Sequence, residues 1–556
     1  MLRLQAFHAA ALSLVVLHLA HTHANAGQAD VIEPVSMEIA RRLAVPGEAG
    51  PMVADHELRA FELVRRFYDE RTFAPAWTDP NGPRPYVMQL VETVRASGRE
   101  GLDPADYHAT TLTQLLSDLG KGASPGGEAT AAERAAIELL ATDAYFTYAA
   151  HALVGRHDDG LHQNELAAEG LEDPVAYLES AVRSHGVFAS LTKLLPRTQA
   201  YRQLAQALAV YRRVDSEQSW LEVPPGRSMQ LGNRDVRVPI LRARLAAEPG
   251  AARADEESNF PQWFDGQLDL AVRDFQRRHG LEADGVVGPG TLAALNTSAA
   301  RRAQQIALNM ERWRRLARDL GERHIFVNIA GAELDLVSDG VADIHMRVVV
   351  GSVRWQTPIL SSEITHFVVN PFWNVPRSIA VRTILPNIQT DEEYLSSKGF
   401  RVYELEIPSD ELDMETIAWE ELGPGHFPYR LRQDPGPENA LGRMKFVFPN
   451  RFDVYLHDTP VQGAFVDSVR TRSHGCVRVE KPLDLAQWLI SGAEGWSRTR
   501  LLQAIASSDR STVHLDASVP VHLAYLTAWI DDTCAVHFRR DFYGRDRRLA
   551  RTLSAI

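Results

Sequence analysis

One of the chain's two cysteines lies in a setting suited to covalent chemistry. In Ser473-His474-Gly475-Cys476-Val477-Arg478 an imidazole stands two residues before the thiol. A second, His457, lies upstream in Tyr455-Leu456-His457-Asp458-Thr459-Pro460. A thiol is nucleophilic only as thiolate, and at an unperturbed pKa of about 8.5 it is mostly protonated near neutrality. An imidazole that takes the proton gives the thiolate–imidazolium pair of cysteine acyl-transfer enzymes. Gly475 removes bulk beside the nucleophile and permits a tight turn that can aim backbone N–H groups at a developing oxyanion. Arg478 adds a permanent positive charge able to hold a substrate carboxylate. The same residues leave alternatives open. His457, His474 and Cys476 could ligate zinc with a fourth position free, although no glutamate sits in a metalloprotease-type helix motif. A thioester could also be resolved by water, which makes a hydrolase.

The elements that must position these residues are strands. From about residue 323 the hydrophobic period is two, in Ile325-Phe326-Val327-Asn328-Ile329, Glu333-Leu334-Asp335-Leu336-Val337 and Met346-Arg347-Val348-Val349-Val350-Gly351. Phe367-Val368-Val369-Asn370, Lys445-Phe446-Val447-Phe448 and Phe452-Asp453-Val454-Tyr455-Leu456-His457 continue the series. They predict a mostly β catalytic domain over 301–556, with His457 ending a strand that faces the loop of Cys476. Between Pro376 and Met444 the pattern lapses for about 65 residues, too long for a structureless loop in a compact domain. An inserted lid or capping subdomain is expected there, over 377–444.

Upstream the period is helical. Leu58, Phe61, Val64 and Phe67 share one face, residues 131–153 are rich in alanine, and Tyr201, Leu204, Leu208 and Tyr211 form another stripe. These predict a helical scaffold domain over 56–254. Residues 255–300 differ in character. Leu268, Val272 and Phe275 form a helical face, and the loop Asp284-Gly285-Val286-Val287-Gly288-Pro289-Gly290 leads into a second short helix. The expected fold class is therefore α+β and multidomain.

The N-terminus reads as an export signal over 1–26. It has a positive Met1-Leu2-Arg3, a mainly apolar run over 9–20 and a small-x-small Ala24-Asn25-Ala26. That run is shorter than the about 20 residues needed to span a bilayer. A periplasmic protein is expected, held at the inner membrane only if the segment stays uncleaved. Residues 27–55 read as a linker. A formal charge of −13 argues against nucleic acid as a partner. At 45% hydrophobic and 24% charged residues the composition is that of a globular protein large enough to need no disulfide staple, which argues against a Cys476–Cys534 bridge.

His457 followed by Ser-His-Gly-Cys-x-Arg resembles the catalytic signature of the L,D-transpeptidase family. Gln356-Thr357-Pro358, Asn370-Pro371-Phe372-Trp373-Asn374-Val375-Pro376, Pro520-Val521-His522-Leu523-Ala524-Tyr525 and Gly101-Leu102-Asp103-Pro104-Ala105-Asp106-Tyr107 match further family landmarks. The resemblance is to the large Gram-negative subfamily with a helical scaffold, and residues 255–300 resemble a small peptidoglycan-binding module. The resemblance implies Cys476 as nucleophile and His457 as base, with His474 and Gly475 shaping the oxyanion site. Tyr455, Trp373, Arg478 and Ser473 would line the substrate cleft. It implies no cofactor and no metal, peptidoglycan stem peptides as substrate, and other cell-wall synthesis enzymes as further partners. The implied reaction expels D-alanine from a tetrapeptide stem and forms a 3→3 cross-link. A catalytically silent wall-binding scaffold is the reading from a different class, opposed by the intact Cys476 and His457.

Overall fold

The structure is a computed structural model and describes residues 29–44, 51–120, 130–156, 163–218, 220–249, 261–406, 410–491 and 495–555. The export segment expected at 1–26 lies outside these residues. Among the described residues no helix is long and apolar enough to cross a membrane.

The linker expected at 27–55 is corrected by a helix at Ala29–Leu43. Val35, Ile39 and Leu43 are spaced four apart and buried, and they join the scaffold core. That core is built around the helix Ala131–Val154, opened by a capping box between Thr130 and Glu133. The helix is buried almost all round, including Glu138, whose carboxylate accepts from the Ala76, Trp77 and Thr78 amides and from Tyr68. Alanine-rich sequence permits such close approach, and the buried carboxylate is fully hydrogen-bonded, as burial of a charge requires.

The small module also begins earlier than residue 255. The helix Val238–Ala246 buries Val238, Leu241 and Leu245 against Phe264, Leu268, Val272 and Phe275, and the cluster reaches back to Val223. Its amphipathic pattern is hidden in sequence because Arg242 and Arg244 are buried too, paired with Asp265 and Glu248 at 2.5 and 2.7 Å. The Tyr201, Leu204, Leu208 and Tyr211 stripe forms a separate bridging core. It packs on Ile306 and Met310 of the helix Ala299–Arg314 and on Ala528, Val536 and Phe538 of a C-terminal hairpin.

The catalytic region is one closed sheet. Its strands are β1 (Arg323–Asn328), β2 (Glu333–Ser338), β3 (Val341–Gly351), β4 (Leu360–Val369), β5 (Met444–Val447), β6 (Leu456–His457), β7 (Thr471–Ser473), β8 (Val477–Val479) and β9 (Ser511–Ala524). The order is β7-β3-β8-β6-β5-β4-β9-β1-β2, and β2 also pairs with β3, so the sheet closes on itself as a barrel. Inward residues of successive strands, among them Leu336, Val348, Phe367, Phe446, Leu456, Val477 and Val513, fill its interior. The strand expected over 452–457 is only two residues long, because Asp453 takes a left-handed φ of 53° and turns the chain. Between β4 and β5 the chain builds a four-stranded sheet that begins with Trp373–Asn374 and ends with Tyr429–Gln433, together with short helices around Ala380–Ile384. Ile384, Leu385, Phe400, Val402 and Leu431 give this insertion its own core.

Candidate active site

Strand register brings the candidate residues to one face. β6 and β8 run parallel, with Leu456 opposite Val477 and His457 opposite Arg478. On the other side of β6, Lys445 of β5 pairs with His457. Side chains alternate along a strand, so Leu456, Val477 and Phe446 enter the barrel while His457, Arg478 and Lys445 share the opposite face. One step back, the Val477 amide donates to the Tyr455 carbonyl at 3.1 Å, which extends the pairing and sets Tyr455 beside Cys476.

His457 is buried, and its Nδ1 lies 2.5 Å from the carbonyl oxygen of Asp458. A carbonyl only accepts, so Nδ1 carries the proton and Nε2 the lone pair. Burial, reinforced by the charge of Arg478, holds the imidazole down to about 3, so it is neutral across the physiological range. The orienting group is therefore the Asp458 backbone. Its carboxylate is committed elsewhere, accepting from the Arg443 and Thr459 amides at 2.7 Å each.

The Cys476 thiol is pushed up by burial, opposed by hydrogen bonds from the Tyr455 backbone and hydroxyl and by the charges of Lys445 and Arg478. With the thiol raised and the imidazole lowered, the resting pair is neutral. This corrects the thiolate–imidazolium pair expected from sequence: both groups are desolvated, which disfavours either charge. A pH dependence follows. In a Cys534→Ser background, alkylation of Cys476 by iodoacetamide is expected to rise about tenfold per pH unit from 5 to 8, with no plateau, as for any thiol titrating above that range. A plateau below pH 7 would show a preformed ion pair.

The turn before the thiol is braced from within. Ser473 is buried; its hydroxyl donates to the Cys476 carbonyl at 2.5 Å and accepts from the Gly475 amide at 3.1 Å. Ser473 thus holds the turn and does not line the cleft, contrary to expectation. The Gly475 N–H is occupied by the same bond, so Gly475 does not offer that donor to an oxyanion. Gly475 is needed for conformation: φ is +116°, while a Cβ there would meet nothing closer than 3.8 Å. Its carbonyl accepts from Thr357 Oγ1 at 2.8 Å, and the Thr357 amide donates to the Tyr543 hydroxyl at 3.1 Å.

The inserted subdomain supplies the other wall. His474 is exposed, with Nε2 3.2 Å from Thr383 Oγ1 of the insertion and its ring 5.7 Å from Trp355. Tyr455 makes side-chain hydrogen bonds to Cys476 and to Trp373, the first residue of the inserted sheet. Arg478 is half-buried beside the thiol, and among the described residues its Nε has no hydrogen-bond partner. Cys476, His457, Tyr455, Trp373 and Arg478 are thus brought together. Sequence reading missed Lys445, whose Nζ lies 3.9 Å from the Tyr455 ring centre; strand alternation through Lys445-Phe446-Val447 could have found it. His457, His474 and Cys476 do not converge as metal ligands, and among the described residues no group of three His, Cys, Asp or Glu does. Both cysteines are free.

Comparison with known proteins agrees with this architecture. Residues 322–497 match the family of the L,D-transpeptidase catalytic domain, residues 62–208 a scaffold domain, and residues 237–295 a family described as "Putative peptidoglycan binding domain". A protein of Haemophilus influenzae named "Putative L,D-transpeptidase" is 37% identical over 248 residues, 44% of this chain and 49% of that protein. The N-acetylmuramoyl-L-alanine amidase CwlM of Mycobacterium tuberculosis is 36% identical over 81 residues, 14% of this chain and 20% of its own. The chain thus spans about half the length or less of the curated relatives it matches. A solved L,D-transpeptidase from Xylanimonas cellulosilytica, residues 123–326, is 17% identical over 54% of this chain and 98% of its own, with a TM-score of 0.18, too low to add to the case. The catalytic domain is of the L,D-transpeptidase class. Residues 322–497 are thus similar to that family's catalytic domain, and the same chain carries matches to a scaffold domain and to a peptidoglycan-binding domain.

Proposed function

We propose that the protein cross-links peptidoglycan stems by a two-step acyl transfer through Cys476, outside the cytoplasm. His457 Nε2 takes the thiol proton as Sγ attacks the carbonyl of the third residue of a tetrapeptide stem. The tetrahedral intermediate collapses to a thioester, and the imidazolium returns its proton to the departing D-alanine amine. A side-chain amine of a second stem then attacks the thioester. His457 takes the amine proton, and the sulfur leaves and is reprotonated, giving a 3→3 cross-link. Arg478 and Lys445 supply positive charge on the face where the oxyanion and substrate carboxylates lie.

The observation that carries this reading is the Nδ1–H bond to the Asp458 carbonyl, which leaves the Nε2 lone pair on the face shared with the thiol. The insertion supports transfer over hydrolysis. Thr383 and Trp373 reach the catalytic turn and Tyr455, where a cover can hold an acceptor amine and exclude water. Disaccharide-tetrapeptide at millimolar concentration is expected to yield mainly dimers and free D-alanine by mass spectrometry. Tripeptide without dimer would make the protein a carboxypeptidase.

A further inference from the structure

The chain carries a net charge of −13, yet one groove on it is strongly basic. It runs between the helices Ala299–Arg314 and Arg545–Ala555, over the segment 539–541, and encloses about 800 Å³. Six arginines line it, at 301, 302, 539, 540, 547 and 551, against Asp541 and Asp546. Both aspartates are already engaged. Asp546 Oδ1 lies 2.6 Å from Arg312, and Asp541 Oδ1 accepts from the Tyr525 hydroxyl at 3.0 Å and the Arg545 amide at 2.7 Å. Arg301, Arg540, Arg547 and Arg551 are exposed, and among the described residues they enter no ion pair.

Arg302 is a second, independent sign of a ligand. It is 7% exposed and lines the groove, yet among the described residues its buried Nε has no hydrogen-bond partner. Its Nη2 donates to His279 Nδ1 at 3.1 Å and to the Ala294 carbonyl at 3.2 Å, and its Nη1 to Gln305 Oε1 at 3.1 Å, all neutral acceptors. Fold stability does not account for the cluster. Arg301 and Arg547 sit in the first turns of their helices, where the dipole favours anions, and the neighbouring cations repel one another. The groove begins at Thr297, immediately beyond the peptidoglycan-binding domain that ends at residue 295. It is also tied to the catalytic turn. Asp541 holds Tyr525, whose hydroxyl accepts from the Tyr543 amide at 3.1 Å, and the Tyr543 hydroxyl meets Thr357, which bonds the Gly475 carbonyl.

We propose that this groove binds the carboxylates of peptidoglycan stem peptides, as a docking site for the strand outside the catalytic cleft. This rests on the reading that the chain acts on peptidoglycan. Guanidinium forks match carboxylates in bidentate geometry. Several separate cations call for a ligand whose anionic groups recur along its length, as stems do along a glycan strand.

The test compares the full chain with its Arg301→Glu/Arg540→Glu/Arg551→Glu variant by sedimentation with purified sacculi. Native sacculi and sacculi with amidated carboxylates are used, with phosphatidylglycerol vesicles as a separate arm. The variant is expected to sediment at least about tenfold more weakly than wild type at low salt, with the gap closing as salt screens it. Turnover of small soluble stems is expected to stay unchanged. Wild type is expected to lose affinity for amidated sacculi to the same degree, a measurement that needs no variant to fold. Equal binding to native and amidated sacculi would overturn the proposal. So would a loss of vesicle binding alone, which would assign the groove to phosphate. Carboxylate-dependent sedimentation by a protein that forms no cross-link would overturn the transpeptidase reading and leave the groove standing.

Discussion

Replacing Cys476 with alanine is expected to abolish turnover, a loss of roughly 10⁶-fold on the scale of deleted acyl-transfer nucleophiles, whereas Cys534→Ser retains most activity. The two thiols differ in every respect that matters to reactivity. Cys476 has Tyr455, Lys445 and Arg478 around its sulfur and His457 on the adjacent strand. Cys534 is exposed at the tip of a hairpin with φ +64°, and its sulfur accepts from Gln203 Nε2 at 3.7 Å. Alanine at 476 removes a half-buried sulfur in the turn that leads into β8 and leaves the barrel interior untouched, so the variant should fold. Steady-state release of D-alanine measures both. Comparable losses from the two substitutions would point to a shared structural role for the cysteines.

The second large effect is at His457. Alanine there removes the neutral imidazole whose Nε2 lone pair suits the thiol proton, and acylation is expected to slow by about 10²–10⁴-fold. The resting thiol is already protonated, so its alkylation at high pH, where hydroxide does the deprotonation, should change little. That split separates a base from a merely structural residue. A collapsed site would alter alkylation at every pH, while loss of the base spares it above the thiol's own titration. An unchanged acylation rate would remove His457 from the mechanism.

Much of the site was legible in sequence because it is local. His457, Cys476 and Arg478 sit within about 20 residues of one another, and short strands of period two implied the face they share. What was not legible depends on partners distant in sequence. Lys445 enters the site through its pairing with His457, and although alternation along its own strand gives its face, only that pairing puts the face beside the thiol. Ser473 looked like a cleft residue because the signature contains it, yet its hydroxyl is consumed by the turn. The neutral resting state was hidden for a related reason, since burial decides the charge and residue types do not record burial. In the fold, small residues around the helix Ala29–Leu43 give it the look of a linker, and the helix Val238–Ala246 is hidden because its arginines turn inward to partly or fully buried carboxylates. A sequence pattern reports which residues are apolar; it is silent on which charged residues find a partner inside.

The central claim is that Cys476 is acylated by a stem peptide, and the most direct measurement is the mass of the protein quenched in acid during turnover of disaccharide-tetrapeptide, followed by peptide mapping. The account predicts an adduct equal to the substrate less its terminal D-alanine, on the peptide bearing Cys476, formed far more slowly in His457→Ala. Turnover at full rate with no adduct at Cys476, or with the adduct on Cys534, would contradict it.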